Sequence, residues 1–212
     1  MGKQKYQKQI EALFNKSPIV SYSSIERIIR QKKNTNYTKQ LVRNLILKDK
    51  IRKLSKGVYT SRNTPQLAVL SFKPSYLGLQ DALSFHNLWE QETIPVIITS
   101  RKIRSGIRSI MGSNILIRKI DPKLLFGFDY LSDGEIYLPY SDIEKTLIDM
   151  VYFKEKLSEE AQNNIIRTIN KKKLESYLKH YPKRTQEQVR KIIRNMASPI
   201  HQPLSHNRNL FK

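Results

Sequence analysis

Residues 36–61 read NYTKQLVRNLILKDKIRKLSKGVYTS, a stretch that begins as a helix and ends as something that cannot be one. Leu41, Val42, Leu45 and Ile46 recur at helical spacing, and Thr38 falls on the same face. After Lys48 the chain turns to two short extended pieces, 51–54 and 58–60. Between them lies Ser55-Lys56-Gly57, where glycine supplies the positive φ of a tight turn. Upstream, residues 4–16 predict a first helix with Ile10, Leu13 and Phe14 on one face. SPIVSYSS interrupts it, and either Ser23 or Ser24 caps a second helix over 25–31 that carries Ile25, Ile28 and Ile29. QKKNTN, 31–36, is a polar turn, and Asn36 is the expected N-cap of a third helix reaching about Lys48.

Three helices and a β-hairpin in this order predict a winged helix-turn-helix, whose third helix enters a major groove while the hairpin lies on the backbone beside it. The charge distribution agrees. The 212 residues carry 39 Lys and Arg against 18 Asp and Glu, a net charge of +21. Residues 1–62 hold 16 cations against 3 acids, residues 63–157 hold 11 of each, and residues 158–212 hold 12 against 4. Cations gathered at the two ends are the electrostatic footprint of nucleic-acid binding, densest in the first 62 residues.

Opposite the apolar stripe of the third helix, Asn36, Gln40, Arg43 and Asn44 project, with Tyr37 and Lys39 on the flanks. These are base-edge chemistries: Arg pairs bidentately with guanine, Asn and Gln with adenine. Arg52, Lys53 and Lys56 in the hairpin are suited to phosphates, which position a protein without specifying sequence. The competing readings are a solvated amphipathic face and a protein-interaction module, since winged helices serve as both.

SRNTPQ, 61–66, reads as a linker, dividing a DNA-binding domain (1–62) from a second domain (63–196). In the second, 76–90 is an amphipathic helix with Leu79, Leu83 and His86 at spacings of three or four. Residues 95–100, 114–120 and 136–140 are strands, the last ended by Pro139. Residues 141–155 form a helix capped by Ser141 or Asp142, with Ile143, Leu147, Ile148, Val151 and Tyr152 as its stripe. Helices continue over 158–196, and 197–212 is a loose tail. The expected fold class is therefore α+β: an N-terminal winged helix, a mixed α/β domain and C-terminal helices. An apolar content of 39% provides for a core. Without cysteine there are no disulfides, zinc-thiolate sites or thiol catalysis. The start, MGKQKYQKQ, lacks the apolar run of a secretory signal, and no segment approaches the ~20 apolar residues that span a bilayer. The expectation is a soluble, cytoplasmic chain with no membrane partner.

Asp121, Asp129, Asp133, Glu135, Asp142, Glu144, Lys145 and Asp149 raise the question of a metal-dependent nuclease, in which acids hold Mg²⁺ and a lysine polarises water. The spacing does not supply a strand-borne Asp followed by Glu-x-Lys, and Asp133-Gly134 reads as a hairpin turn. His86 is a packed histidine, while His180, His201 and His206 lack ligand spacing. No Gly-rich phosphate loop or nucleophile elbow is present. No catalytic set, cofactor or metal is expected.

The order of motifs resembles a family. IRKLSKGVY closing the hairpin, then YLGLQDALSFHNL, the strand VIITSRK, and DIEKTLIDMVY together look like AbiEi-type antitoxins and transcriptional regulators of type IV toxin–antitoxin systems. Lys56-Gly57-Val58-Tyr59 matches the family's wing end. Ala82, Leu83, His86 and Leu88 match an Ala-Leu-x-x-His-x-Leu helix, and Glu144, Lys145, Leu147 and Asp149 match a Glu-Lys-x-Leu-x-Asp helix. The likeness spans residues 17–153, and Asn87 stands where glycine is common. The resemblance implies a repressor that binds inverted repeats in its own promoter as a monomer or weak dimer, cooperatively. It also implies an antitoxin domain that counteracts a cognate nucleotidyltransferase toxin, transiently or indirectly. A stand-alone winged-helix regulator without a toxin is the alternative, and a metal-dependent nuclease a more distant one.

Overall fold

The computed structural model describes residues 6–29 and 35–197. The predicted helix ends at Gln4 and Gln31, the turn residues 31–34, and the tail beyond Ala197 with His201 and His206 lie outside them.

The N-terminal part contains α1 (Gln7–Lys16), β1 (Val20–Ser21), α2 (Tyr22–Ile29), α3 (Thr35–Leu47), β2 (Arg52–Ser55) and β3 (Val58–Thr60). Ile10, Phe14, Val20, Ile25, Ile29, Val42, Leu45, Ile51 and Tyr59 close one small core, so the helical stripes meet as their spacing implies. Three local expectations are corrected. Asn36 lies inside α3, which already starts at Thr35. The α2 helix begins three residues early, at Tyr22, and its cap is Ser21, whose Oγ accepts from the Ser24 amide at 3.1 Å. The SPIVSYSS segment also supplies β1, which pairs Val20 with Tyr59 and turns the hairpin into an antiparallel β1-β3-β2 sheet. Gly57 turns the hairpin at φ 74, and its carbonyl accepts from the Tyr22 amide at 2.7 Å.

Residues 61–64 lead into a 3-10 helix, Pro65–Ser71, and then a mixed six-stranded sheet. Its strands are β4 (Ser75–Leu77), β5 (Val96–Thr99), β6 (Gly106–Ile110), β7 (Ser113–Lys119), β8 (Phe128–Asp133) and β9 (Ile136–Ser141), in spatial order β6-β7-β5-β4-β9-β8. The strand β5 is buried on both faces: Val96 and Ile98 enter one core, Ile97 the other. On the first face pack α4 (Leu79–Phe85), α5 (Ile143–Tyr152), α6 (Glu159–Thr168), α7 (Lys171–Leu178) and α8 (Lys183–Ala197). On the second face Leu67, Val69, Leu77, Ile115, Ile117 and Leu138 cluster with Leu54 of β2, and Ile19 and Val58 lean against them. The hairpin is thus held between the N-terminal helices and the large sheet. The architecture is α+β, as the sequence predicts.

Several strands escaped the periodicity. Tyr76 and Leu77, read as helix, belong to β4, and α4 is only seven residues long. Gly78 separates them because a Cβ there would meet Ile98 Cδ1 at 2.5 Å. Pro139 does not end β9; over that residue β9 has one neighbour, β8, because β4 joins it at Leu77↔Tyr140. Ile143, Val151 and Tyr152 flank the apolar centre of α5, yet Glu144, Lys145, Thr146 and Asp149 are buried as well. The helix is enclosed on nearly every side rather than along one stripe.

Candidate nucleic-acid interface

Thr38, Val42 and Leu45 pin α3 to the core at spacings of four and three. That fixes which residues are left outside. Asn36, Tyr37, Lys39, Gln40, Arg43 and Asn44 are all exposed. Tyr37 lies edge-on to Tyr6 at 6.1 Å, and Gln40 Nε2 donates to Asn44 Oδ1 at 3.4 Å, a long contact that leaves both amides able to turn. The apolar face is narrower than its spacing suggests: Leu41 is half-buried and Ile46 is 38% exposed. The structure corrects the assignment of Ile46 to the core.

Between α3 and the hairpin lies a cleft of about 310 Å³. Lys39 and Arg43 enter it from α3 and Lys53 from β2, over a floor that includes Val42, Ile46 and Tyr59. The hairpin is held there by three ties: the Tyr22–Gly57 backbone bond, the β1–β3 pairing, and the Thr60 hydroxyl donating to the Pro18 carbonyl at 2.7 Å.

The cations of this region fall into two groups. Arg52 is half-buried and pairs with Asp49 at 2.6 Å, Lys50 faces Glu11 at 3.6 Å, and Arg62 reaches Glu135 at 3.3 Å. The side chains of Lys39, Arg43, Lys53 and Lys56 have no hydrogen bond or ion pair to any described residue. Of the three hairpin cations picked out by sequence, Arg52 is therefore paired at the surface with Asp49, and Lys53 and Lys56 are open. Sequence reasoning passed over Leu47, which is 73% exposed. At about 100° per residue it projects between Arg43 and Gln40, so the signal was present in the helical wheel.

The motifs of the second domain serve its interior. Lys145 and Asp149 are both 0% exposed, and Lys145 Nζ donates to Asp149 Oδ1 at 2.6 Å. The hydroxyls of Tyr76 and Tyr181 donate to the same carboxylate at 2.6 Å each, and the Tyr181 oxygen also accepts from Lys145. The rings of Tyr76, Phe126 and Tyr181 surround the ammonium at 5.1–5.3 Å. Burial pushes the Lys145 ammonium below its ordinary pKa, with Asp149 opposing, and burial beside Asp149 drives the Tyr76 hydroxyl well above its own. Glu144 accepts from the Asn170 amide at 2.6 Å, and Asp142 caps α5 by accepting from the Lys145 amide at 2.8 Å. Asp121 accepts from the Lys123 amide, Asp133 accepts from the Tyr140 hydroxyl, and Gly134 turns the β8–β9 hairpin at φ 64. Asp129 is exposed on β8. His86 Nε2 lies 2.8 Å from the Ser141 carbonyl, a packed histidine, and His180 meets the Phe126 ring edge. Among the described residues no group of three His, Cys, Asp or Glu is placed to hold a metal ion, and no helix is long and apolar enough to cross a membrane.

No protein-family profile matches this sequence, and no curated protein matches it. Among solved structures, the crystal structure of the protein RV2827C from Mycobacterium tuberculosis is similar in fold, with a TM-score of 0.66 at 11% identity. The match covers 92% of this chain and 78% of that one. At such identity the likeness concerns the fold alone.

Proposed function

We propose that the protein binds double-stranded DNA through a winged helix-turn-helix made of α1–α3 and the β1-β3-β2 sheet, and that it represses its own promoter. The observation that carries this reading is the contrast between paired and open cations. Lys39, Arg43, Lys53 and Lys56 stand without an internal anion on one helix and the adjoining hairpin, while their neighbours Lys50, Arg52 and Arg62 are paired. The four open cations lie together, on α3 and the adjoining hairpin, and three of them line one cleft. Phosphates supply the missing anions of Lys39, Lys53 and Lys56, while the Arg43 guanidinium and the amides of Gln40, Asn44 and Asn36 meet base edges.

Binding of the full-length protein to the DNA upstream of its own reading frame tests this, measured by fluorescence anisotropy at several salt concentrations. Three phosphate contacts, from Lys39, Lys53 and Lys56, give a slope of log K against log salt of roughly −2.7. No binding, or equal affinity for promoter and random duplex, refutes the specific reading.

The second domain supports a further step through its resemblance to AbiEi-type antitoxins: it counteracts a nucleotidyltransferase toxin. Co-expression with a nucleotidyltransferase encoded in the neighbouring frame is the test. Rescue of growth supports the antitoxin; promoter binding without rescue, or without such a frame, leaves a stand-alone regulator.

A further inference from the structure

Leu47 is an anomaly on the face proposed to read DNA. It is 73% exposed, the last residue of α3, and one turn beyond Arg43. On the helical wheel it sits among Asn36, Arg43 and Gln40, on the opposite side from Thr38 and Leu45. Its neighbour Ile46, 38% exposed, joins it in lining the cleft whose cations are Lys39, Arg43 and Lys53. A single exposed leucine is ordinary on a protein surface. Two adjacent apolar residues ringed by three cations that lack an internal anion call for an occupant that is anionic outside and apolar within. Duplex DNA meets both demands, since phosphates flank a groove whose only apolar groups are the thymine C5-methyls.

Resting on the DNA-binding reading above, we propose that Leu47, supported by Ile46, reads thymine methyl groups in the major groove, so that it is a specificity-determining residue of α3. The amide and guanidinium groups of Gln40 and Arg43 then read hydrogen-bonding edges, and Leu47 reads shape and apolarity one turn further along the groove. A second copy of the chain seated on Leu47 is the competing occupant.

The test is a thymine-to-deoxyuridine scan of the promoter duplex, which removes one methyl at a time and leaves every hydrogen bond in place. With the full-length protein, one or two positions under α3 weaken binding about fourfold each, the loss expected for one buried methyl. Leu47→Ala weakens the thymine duplex and abolishes the thymine–uracil difference, while Leu47→Met retains most of it. Because the side chain is exposed, both variants fold, as circular dichroism verifies. A wild-type protein that prefers its promoter over random DNA yet ignores every uracil substitution overturns this proposal and leaves DNA reading intact. Failure to distinguish promoter from random DNA overturns both. If Leu47→Ala instead changes the sedimentation of the free protein and keeps the thymine preference, the leucine joins two copies and the proposal falls.

Discussion

Removing Lys145 and Asp149 separately and together measures what the buried centre of the second domain contributes. Each is 0% exposed, so neither charge can be rehydrated without opening the core. Breaking a buried pair by deleting one partner costs about 3–5 kcal/mol, because the other charge is left uncompensated. The geometry sets the order of the two losses. In Lys145→Met the Asp149 carboxylate keeps two hydroxyl donors, Tyr76 and Tyr181, each at 2.6 Å, so the loss falls near 3 kcal/mol. In Asp149→Leu the ammonium keeps one hydroxyl acceptor and three ring faces, weaker compensation, so the loss falls near 5 kcal/mol. The double variant buries no charge and leaves only two tyrosine hydroxyls to satisfy; it costs about 2 kcal/mol, less than either single change. Urea unfolding of the four proteins at pH 7, with m-values compared, supplies the cycle. Losses that simply add, or singles that each cost under about 1 kcal/mol, refute the reasoning and show that the centre is not a coupled network.

Three further outcomes are expected. Arg43→Ala costs about 1–3 kcal/mol on the promoter and much less on random duplex, whereas Lys56→Ala weakens both alike and flattens the salt slope by about one; competition binding at two salt concentrations reads the difference. Burial raises the Asp81 carboxyl from 3.8 to about 7, with the Val96 amide opposing, so its stabilising contribution is full below pH 4 and is lost as pH rises through 7. The loss is about 4 kcal/mol, and Asp81→Asn, which can keep the Val96 bond, removes it: thermal unfolding at pH 8 then shows a variant more stable than wild type, with the gap closing at pH 4. Leu54→Ala at the junction of hairpin and large sheet costs about 2–5 kcal/mol in denaturant unfolding, although Leu54 lies in the short segment that sequence assigns to the DNA-binding part.

Part of the fold is legible in the sequence alone. The α3 helix, the hairpin around Gly57 and the Asp142 cap were visible because each depends on residues within one or two turns of one another. Strands β5 and β7 showed as apolar runs. The nine residues proposed to meet DNA follow from the helical wheel and turn chemistry, and one of them, Arg52, pairs at the surface with Asp49. Leu47 falls on the same exposed face by the wheel, but its apolar side chain is not among the hydrogen-bonding groups that mark that face.

The rest depends on partners remote in the chain. The two-residue β1 has no periodicity of its own and exists because Tyr59 and Val58 lie beside it. Strands β4, β6 and β8 are defined by pairings to β5, β7 and β9, and Tyr76-Leu77 reads equally well as the start of a helix until Ile97 and Ile98 settle it. The sequence by itself determined composition, charge segregation and the faces of the local helices, since those follow from residue type and a fixed rotation per residue. The tertiary structure alone decided which charges are open and which are spent. Arg62 beyond the hairpin pairs with Glu135 from 73 residues away, and a lysine on α5 disappears beside Asp149 only because Tyr76 and Tyr181 arrive from 69 and 36 residues away. Electrostatic pairing acts through space, and distance in space is what a linear sequence does not carry.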